Sequence, residues 1–150
     1  MGKRRRGRIL AFQALYAWDA AKDKKSALKD LYDFSWEEKK TSDADGKKAD
    51  NNEDSAVIFS RLLIAGAVDN IKAVDAMIRK HLVNWDFSRL TGVDRSLLRL
   101  SVYELMFKIA PPQVVINEAV DISREYGTDD SYRFINGVLD GVKKTIESEE

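Results

Sequence analysis

The sequence contains no cysteine and a single histidine, His81. Without thiols the chain can form neither a disulfide nor a thiolate metal site, and one imidazole cannot serve a mechanism that needs two. His81 follows Arg79 and Lys80 and has no sequence neighbour suited to a catalytic triad or a metal site, so we expect it at the surface or near a helix cap. No glycine-rich phosphate loop follows a strand. We therefore predict no catalytic residue, no metal and no cofactor.

Proline and glycine are also scarce, with 2 and 8 residues in a chain of 150. This scarcity, beside many Ala, Leu, Lys and Glu residues, favours helices over a turn-rich all-β fold. No apolar run is long enough to span a membrane. The apolar pattern that follows the first basic residues is interrupted at Gln13 and Asp19. It is therefore typical of an amphipathic helix rather than a secretory signal, and we expect a mature cytoplasmic protein.

Apolar residues recur at three- and four-residue steps, which predicts amphipathic helices along most of the chain. The predicted helices cover residues 3–22, a segment capped by Ser26, residues 55–82 with a close helix contact at Gly66, a segment starting at residues 93–96, a segment from Pro112 to a left-handed cap at Gly127, and a segment starting near residues 130–131. Residues 84–90 suggest a short helix or turn, and the polar stretch at about 37–54 suggests a surface loop. Together these features predict a single all-α domain over residues 1–150, a compact bundle of about six or seven helices.

The N-terminus carries a dense group of cations, which we call the basic arm: Lys3, Arg4, Arg5, Arg6 and Arg8. A guanidinium group can bond two phosphate oxygens at once and stays charged at any working pH, so such a cluster indicates nucleic-acid binding. The alternative is a solvated tail of the nuclear-targeting kind. The formal net charge is zero and the chain ends in acidic residues, which argues against a tight binder driven only by charge.

A second candidate site is the predicted helix junction at residues 126–134, which combines aromatic, acidic and basic groups. Single-stranded RNA is bound by such a set, because rings stack on unpaired bases, carboxylates accept from base edges and cations meet phosphates. Each ring can instead belong to the core. The pattern favours a core position for Phe134 and partial exposure for Tyr126. The RNA hypothesis requires the fold to bring this junction and the basic arm together.

Five sequence blocks, in the expected order, resemble the bacterial NusB family of transcription antitermination factors: residues 4–8, 13–18, 93–105, 116–120 and 134–140. The polar stretch from about Trp36 to Asp54 is longer than the family usually has. The resemblance implies an all-α fold of two three-helix halves and a non-enzymatic RNA-binding adaptor. It further implies binding to boxA, a single-stranded element of leader and ribosomal RNA transcripts. The partner would be NusE, a small-subunit ribosomal protein, within the antitermination complex of RNA polymerase.

The resemblance also assigns residues to these contacts. In the basic arm and first helix it implies RNA contacts for Arg4, Arg5, Arg6, Arg8 and Gln13. At the junction it implies RNA contacts for Tyr126, Asp130, Arg133 and Phe134. Tyr16 and Asp94 fall at positions linked to the NusE interface, although Asp94 also fits a helix cap.

Two other functions remain open from the sequence. A NusB-like domain also occurs at the N-terminus of certain RNA methyltransferases, which carry a further α/β domain with a glycine-rich nucleotide loop. We expect no room for such a domain in a chain that ends at Glu150. A helical protein-interaction domain without RNA affinity is the second alternative. The oligomeric state is open too, since a monomer and a homodimer that masks the basic arm both agree with the sequence.

Overall fold

The computed structural model describes residues 2–25, 29 and 53–150, and these residues form helices without any strand. The α-helices are α1 (Lys3–Ala20), α2 (Glu53–Asp69), α3 (Ile71–Lys80), α4 (Gly92–Met106), α5 (Pro112–Tyr126) and α6 (Ser131–Glu149). A 3₁₀ turn, Phe87–Arg89, lies between α3 and α4. The predicted all-α class is confirmed. The predicted helix at Ser26 and residues 37–52 of the polar stretch lie outside the described residues.

Helix α4 is central, because it packs against each of the other five α-helices in the described chain. Leu97, Leu98, Leu100 and Val102 are each no more than 1% exposed, although they lie on different sides of the helix. A helix that buries apolar residues all round must be enclosed by neighbours. The buried side chains of α1, α5 and α6 join those of α4 in one continuous cluster. Positions on α1 and α5 are therefore fixed through their packing on α4.

The predicted helix over residues 55–82 is wrong in one respect, because it is two helices that meet at Asn70. The Asn70 side-chain amide donates to the Gly66 carbonyl at 2.8 Å, and the Asn70 backbone N–H donates to the same carbonyl at 3.1 Å. Local side-chain bonds of this kind compete with the regular helical pattern. The first of the two helices also begins at Glu53, two residues before the predicted start at Ser55. None of the described helices has both the length and the apolar composition needed to span a bilayer.

Two glycines mark close contacts between elements. At Gly66 the predicted approach is confirmed, since an added Cβ would overlap the hydroxyl group of Tyr103 on α4. At Gly127 the predicted left-handed conformation is wrong, because its φ of −93° and ψ of −171° are extended. Glycine fits there for lack of space, since a Cβ would lie 2.5 Å from the Ser131 hydroxyl oxygen and 2.7 Å from the Ser123 carbonyl oxygen. The turn between α5 and α6 is therefore tight.

Candidate nucleic-acid interface

The basic arm forms the first two turns of α1 instead of an extended tail. Gly7 allows α1 to approach α2 closely, because a Cβ there would lie 2.8 Å from the Phe59 ring. Arg4 and Arg8, one turn apart, share a face, and their guanidinium carbons lie 5.3 and 5.5 Å from the centroid of that ring. The helix thus gives each cation of the arm a fixed direction.

Arg8 points into the protein. It is 2% exposed and forms a bidentate ion pair with Glu104 of α4, which is 1% exposed. Arg8 Nε lies 3.1 and 3.0 Å from the two Glu104 oxygens, and Arg8 NH2 lies 2.8 Å from Oε1. A buried guanidinium held bidentately by a carboxylate must give up part of that pairing and burial before it can bond a phosphate. In the structure Arg8 therefore anchors α1 to α4, and its contact with RNA stays a prediction.

Arg5 is partly buried and links α1 to α5. Its Nε donates to Glu118 Oε2 at 2.6 Å, and its NH2 lies 2.7 Å from Asp121 Oδ2. Glu118 also approaches Arg8, with Oε1 and NH1 3.7 Å apart. Carboxylates and guanidinium groups thus alternate in one network that runs from Asp121 through Arg5, Glu118 and Arg8 to Glu104. Any phosphate that binds Arg5 must compete with its carboxylate partners.

The exposed cations of the arm lie nearer its start. Lys3 and Arg4 are exposed, and Arg6 is half-buried. Together with Ser55 and Phe59 of α2, Lys3 and Arg4 line a cavity of about 230 Å³. A cavity with cations at its edge and a ring at its wall suits an anion attached to a flat group, as in a nucleotide.

Aromatic contact joins the arm helix to the junction at residues 126–134. The rings of Phe12 on α1 and Tyr126 at the end of α5 lie 5.4 Å apart, edge to face at 62°. Tyr126 remains 37% exposed, whereas Phe12 is buried and Gln13 is half-buried beside it. Burial, followed by the charge of Glu125, raises the pKa of the Tyr126 phenol, so the hydroxyl stays a donor at neutral pH. The fold thus brings the basic arm and the junction onto neighbouring parts of α1 and α5.

The junction itself presents exposed polar groups. Asp130 and Arg133 are exposed, and Phe134 is half-buried against the core. Arg133 Nε donates to the Tyr132 hydroxyl at 2.9 Å. The Ser131 hydroxyl accepts from the Thr128 backbone N–H at 2.9 Å, which holds the turn that carries Asp130.

The two residues expected at a protein partner differ in exposure. Tyr16 is 47% exposed and its ring lies against Gly92. Asp94 is only 9% exposed and lies in the first turn of α4, where its backbone N–H donates to the Thr91 hydroxyl at 3.1 Å. Burial raises the pKa of Asp94, against the lowering effect of hydrogen bonds with Ser131 and Thr91. Thr91 is thus the helix cap, and Asp94 is largely buried in the first turn of α4.

The NusB family model matches residues 5–144. The chain belongs to the NusB family. The transcription antitermination protein NusB of Treponema denticola is 44% identical, over 93% of this chain and 95% of the relative. The solved structure of T. maritima NusB is 33% identical, with a TM-score of 0.71 over 94% of this chain and 90% of that one. A chain in a solved structure of antitermination factors NusB and NusE with double-stranded RNA is 31% identical to this chain. Its TM-score is 0.73, and the match covers 95% of this chain and 97% of that one.

Sequence reasoning missed a second charge network in this NusB-family chain. Asp19 at the end of α1 accepts from Arg95 at 2.7 Å and from Arg99 at 2.8 Å, and Arg99 also donates to Asp75 of α3 at 2.9 Å. Burial would raise the pKa of Asp19, but the two arginines outweigh it and hold that pKa below its ordinary value. The only sequence signal was the pair of arginines one helical turn apart on α4. The network braces the far end of α1, as Arg8 braces its start.

Sequence reasoning also missed Trp85, which precedes the 3₁₀ turn and lies against Phe134 with ring centroids 5.5 Å apart. A lone Trp in a polar loop gives no hint of what it contacts. In the described parts of the chain, no group of His, Asp or Glu side chains is arranged to hold a metal ion.

Proposed function

We propose that this NusB-family chain is an RNA-binding antitermination factor that binds boxA-type single-stranded RNA together with NusE and supports ribosomal RNA transcription. The observation that carries the proposal is the Phe12–Tyr126 contact, which joins α1, the helix that begins with the basic arm, to the aromatic and acidic junction. One RNA strand can then meet cations along α1 and base-reading groups at the end of α5.

The two parts of this surface have different tasks. Lys3, Arg4 and Arg6 neutralise phosphates and fix the register of the strand without reading sequence. Arg5 joins them only where a phosphate displaces its carboxylate partners. Base recognition belongs to groups that can hydrogen-bond or stack: Gln13, Tyr126, Asp130, Arg133 and Phe134. Unpaired bases expose the edges that such groups read, which is why the proposal names single-stranded RNA.

A protein partner fits the charge of the site. Arg5 and Arg8 are engaged by carboxylates of the chain itself, so few cations remain for phosphates and affinity for RNA alone is modest. Tyr16 is exposed on the same helix as the basic arm and gives NusE a docking point next to the RNA. The neighbour solved with NusE and double-stranded RNA supports a shared protein and RNA surface and makes duplex RNA the necessary comparison.

The test is a titration of the full chain with labelled boxA RNA, a base-scrambled strand and a duplex, each with and without NusE. We expect the boxA strand to bind best and NusE to tighten that binding cooperatively. Equal affinity for all three RNAs would contradict the proposed recognition of boxA. Independent binding of NusE and RNA would contradict the proposed joint surface.

The role of the basic arm is tested by salt dependence. Arg4→Gln removes one exposed cation, so the slope of log affinity against log salt should fall by about 0.7 for a single strand. Lys72→Gln removes an exposed cation of α3 and serves as the matched control, with an unchanged slope expected. Equal slopes for wild type and Arg4→Gln would exclude Arg4 from the phosphate contacts.

A further inference from the structure

Trp85 is a large apolar side chain of which more than half is exposed to solvent. It is 57% exposed, and its ring lies 5.5 Å from the ring of Phe134 at an angle of 52°. The backbone on both sides is fixed. Asn84 adopts a left-handed φ of 63°, and the Asp86 carboxylate accepts from the Ser88 backbone N–H at 3.0 Å. The exposure of Trp85 therefore belongs to an ordered segment.

We propose that Trp85, packed against Phe134, provides an aromatic platform on which an unpaired RNA base stacks; Trp85 is not among the residues that the family resemblance assigns. This inference rests on the proposed function and extends its binding site. A half-exposed ring that already packs against a second ring loses little freedom when a base stacks on it. Indole has the largest π-face among the side chains, which favours stacking over edge contacts.

The position of the platform continues the RNA surface. Along the chain, Tyr126 of the first ring pair precedes the turn at residues 127–130, and Phe134 of the second ring pair follows it. Asp130, which is exposed, belongs to this turn. A strand that follows the basic arm and crosses the turn reaches Trp85 next. Arg133, exposed beside Phe134, supplies a cation for the phosphate of the stacked nucleotide.

The experiment uses boxA RNA extended on both sides, with 2-aminopurine at successive positions. In wild type we expect quenching at the position that stacks on Trp85. Trp85→Ala should abolish that quenching and weaken affinity by about 5- to 150-fold, the range for losing one base stack. Trp85→Phe should restore most of the affinity. The salt slope should not change in either variant, because stacking displaces no counterions.

Val83→Ala is the matched control, because Val83 is 76% exposed on the same segment and has no ring to stack. It should bind RNA as wild type does. The platform is overturned if Trp85→Ala binds RNA with wild-type affinity. It is also overturned if Trp85→Ala loses affinity only together with a fall in melting temperature, and the fluorescence at every 2-aminopurine position stays unchanged. If the wild-type chain binds none of these RNAs, the proposed function itself fails. If the wild-type chain binds RNA and Arg4→Gln lowers the salt slope, a Trp85→Ala variant without any effect on binding overturns the platform but leaves the proposed function in place.

Discussion

The buried Arg8–Glu104 pair allows a sharp test of how the basic arm is held. Arg8→Met removes the guanidinium and leaves the Glu104 carboxylate 1% exposed, without the three hydrogen bonds that now satisfy it. Breaking a buried pair on one side costs about 3–5 kcal/mol, because the remaining charge is neither solvated nor paired. Replacing both partners by apolar residues of similar size removes this penalty. The free energy of unfolding of the Arg8→Met, Glu104→Leu double variant should therefore lie within about 1 kcal/mol of the wild-type value or exceed it.

Urea unfolding measures these differences. With a slope of about 2 kcal/mol per molar urea, the midpoint of Arg8→Met should fall by about 1.5–2.5 M, whereas the double variant should stay near the wild-type midpoint. Glu104→Leu alone should also be destabilised, since it leaves Arg8 buried with only Glu118 nearby, at 3.7 Å. The coupling free energy of the double-mutant cycle should thus reach several kcal/mol.

The folded double variant then separates anchoring from RNA contact. If Arg8 serves only as an anchor, the double variant should bind RNA with the wild-type salt slope, in contrast to Arg4→Gln. A stable double variant whose slope falls by about 0.7 would show that Arg8 does meet a phosphate. A single Arg8→Met variant as stable as wild type would refute the buried pair itself.

Two further predictions concern charges at the edges of the structure. Asp121→Asn frees Arg5 from one exposed carboxylate and should tighten RNA binding by about 2- to 5-fold in an anisotropy titration at low salt, with less gain at high salt. Burial, followed by the charge of Lys80, lowers the pKa of His81 below 6.5, so the fold favours the neutral ring. Stability should therefore fall as pH drops through 6.5 towards the lowered value, and His81→Asn should flatten this dependence in urea unfolding at several pH values.

Each of these predictions has a direct control. Asp140→Asn changes the net charge equally but affects a pair with Lys144 on α6, so it should leave RNA affinity nearly unchanged. An equal gain from Asp140→Asn would attribute the Asp121 effect to total charge. For His81, whose Nε2 lies 3.0 Å from the Thr145 hydroxyl, identical pH dependence in wild type and His81→Asn would exclude the imidazole as its source.

Local sequence signals predicted those parts of the fold that depend on neighbours along the chain. Apolar periodicity marks α1, α4 and α6, and Pro112 marks the first turn of α5. The break at Asn70 was missed because the apolar stripe continues across it. The conformation of Gly127 was missed because a tight contact with Ser131, rather than a positive φ, requires glycine there.

Residues of the candidate site were harder to predict where their surroundings come from distant parts of the chain. Arg4 and Arg8 are both arginines of one basic run, yet one is exposed and the other buried. What separates them is Glu104, which is 96 residues from Arg8 in sequence. Trp85 meets Phe134 through the same kind of long-range packing. A periodicity argument identifies the face of a helix but not the partner that covers it.

If the chain binds RNA as proposed, the division of the basic arm reconciles a net charge of zero with a preference for one sequence. Arg5 and Arg8 are paired with carboxylates of α4 and α5, so these charges contribute little to non-specific attraction and fix the direction of α1. The exposed cations then stand at set positions relative to the junction, which lowers the ordering cost of binding a strand that fits. The salt dependence of binding follows the number of phosphates that the cations neutralise, and paired cations add little to that number. Releasing the arm from α4 and α5 should therefore raise binding to random RNA and reduce the preference for one sequence.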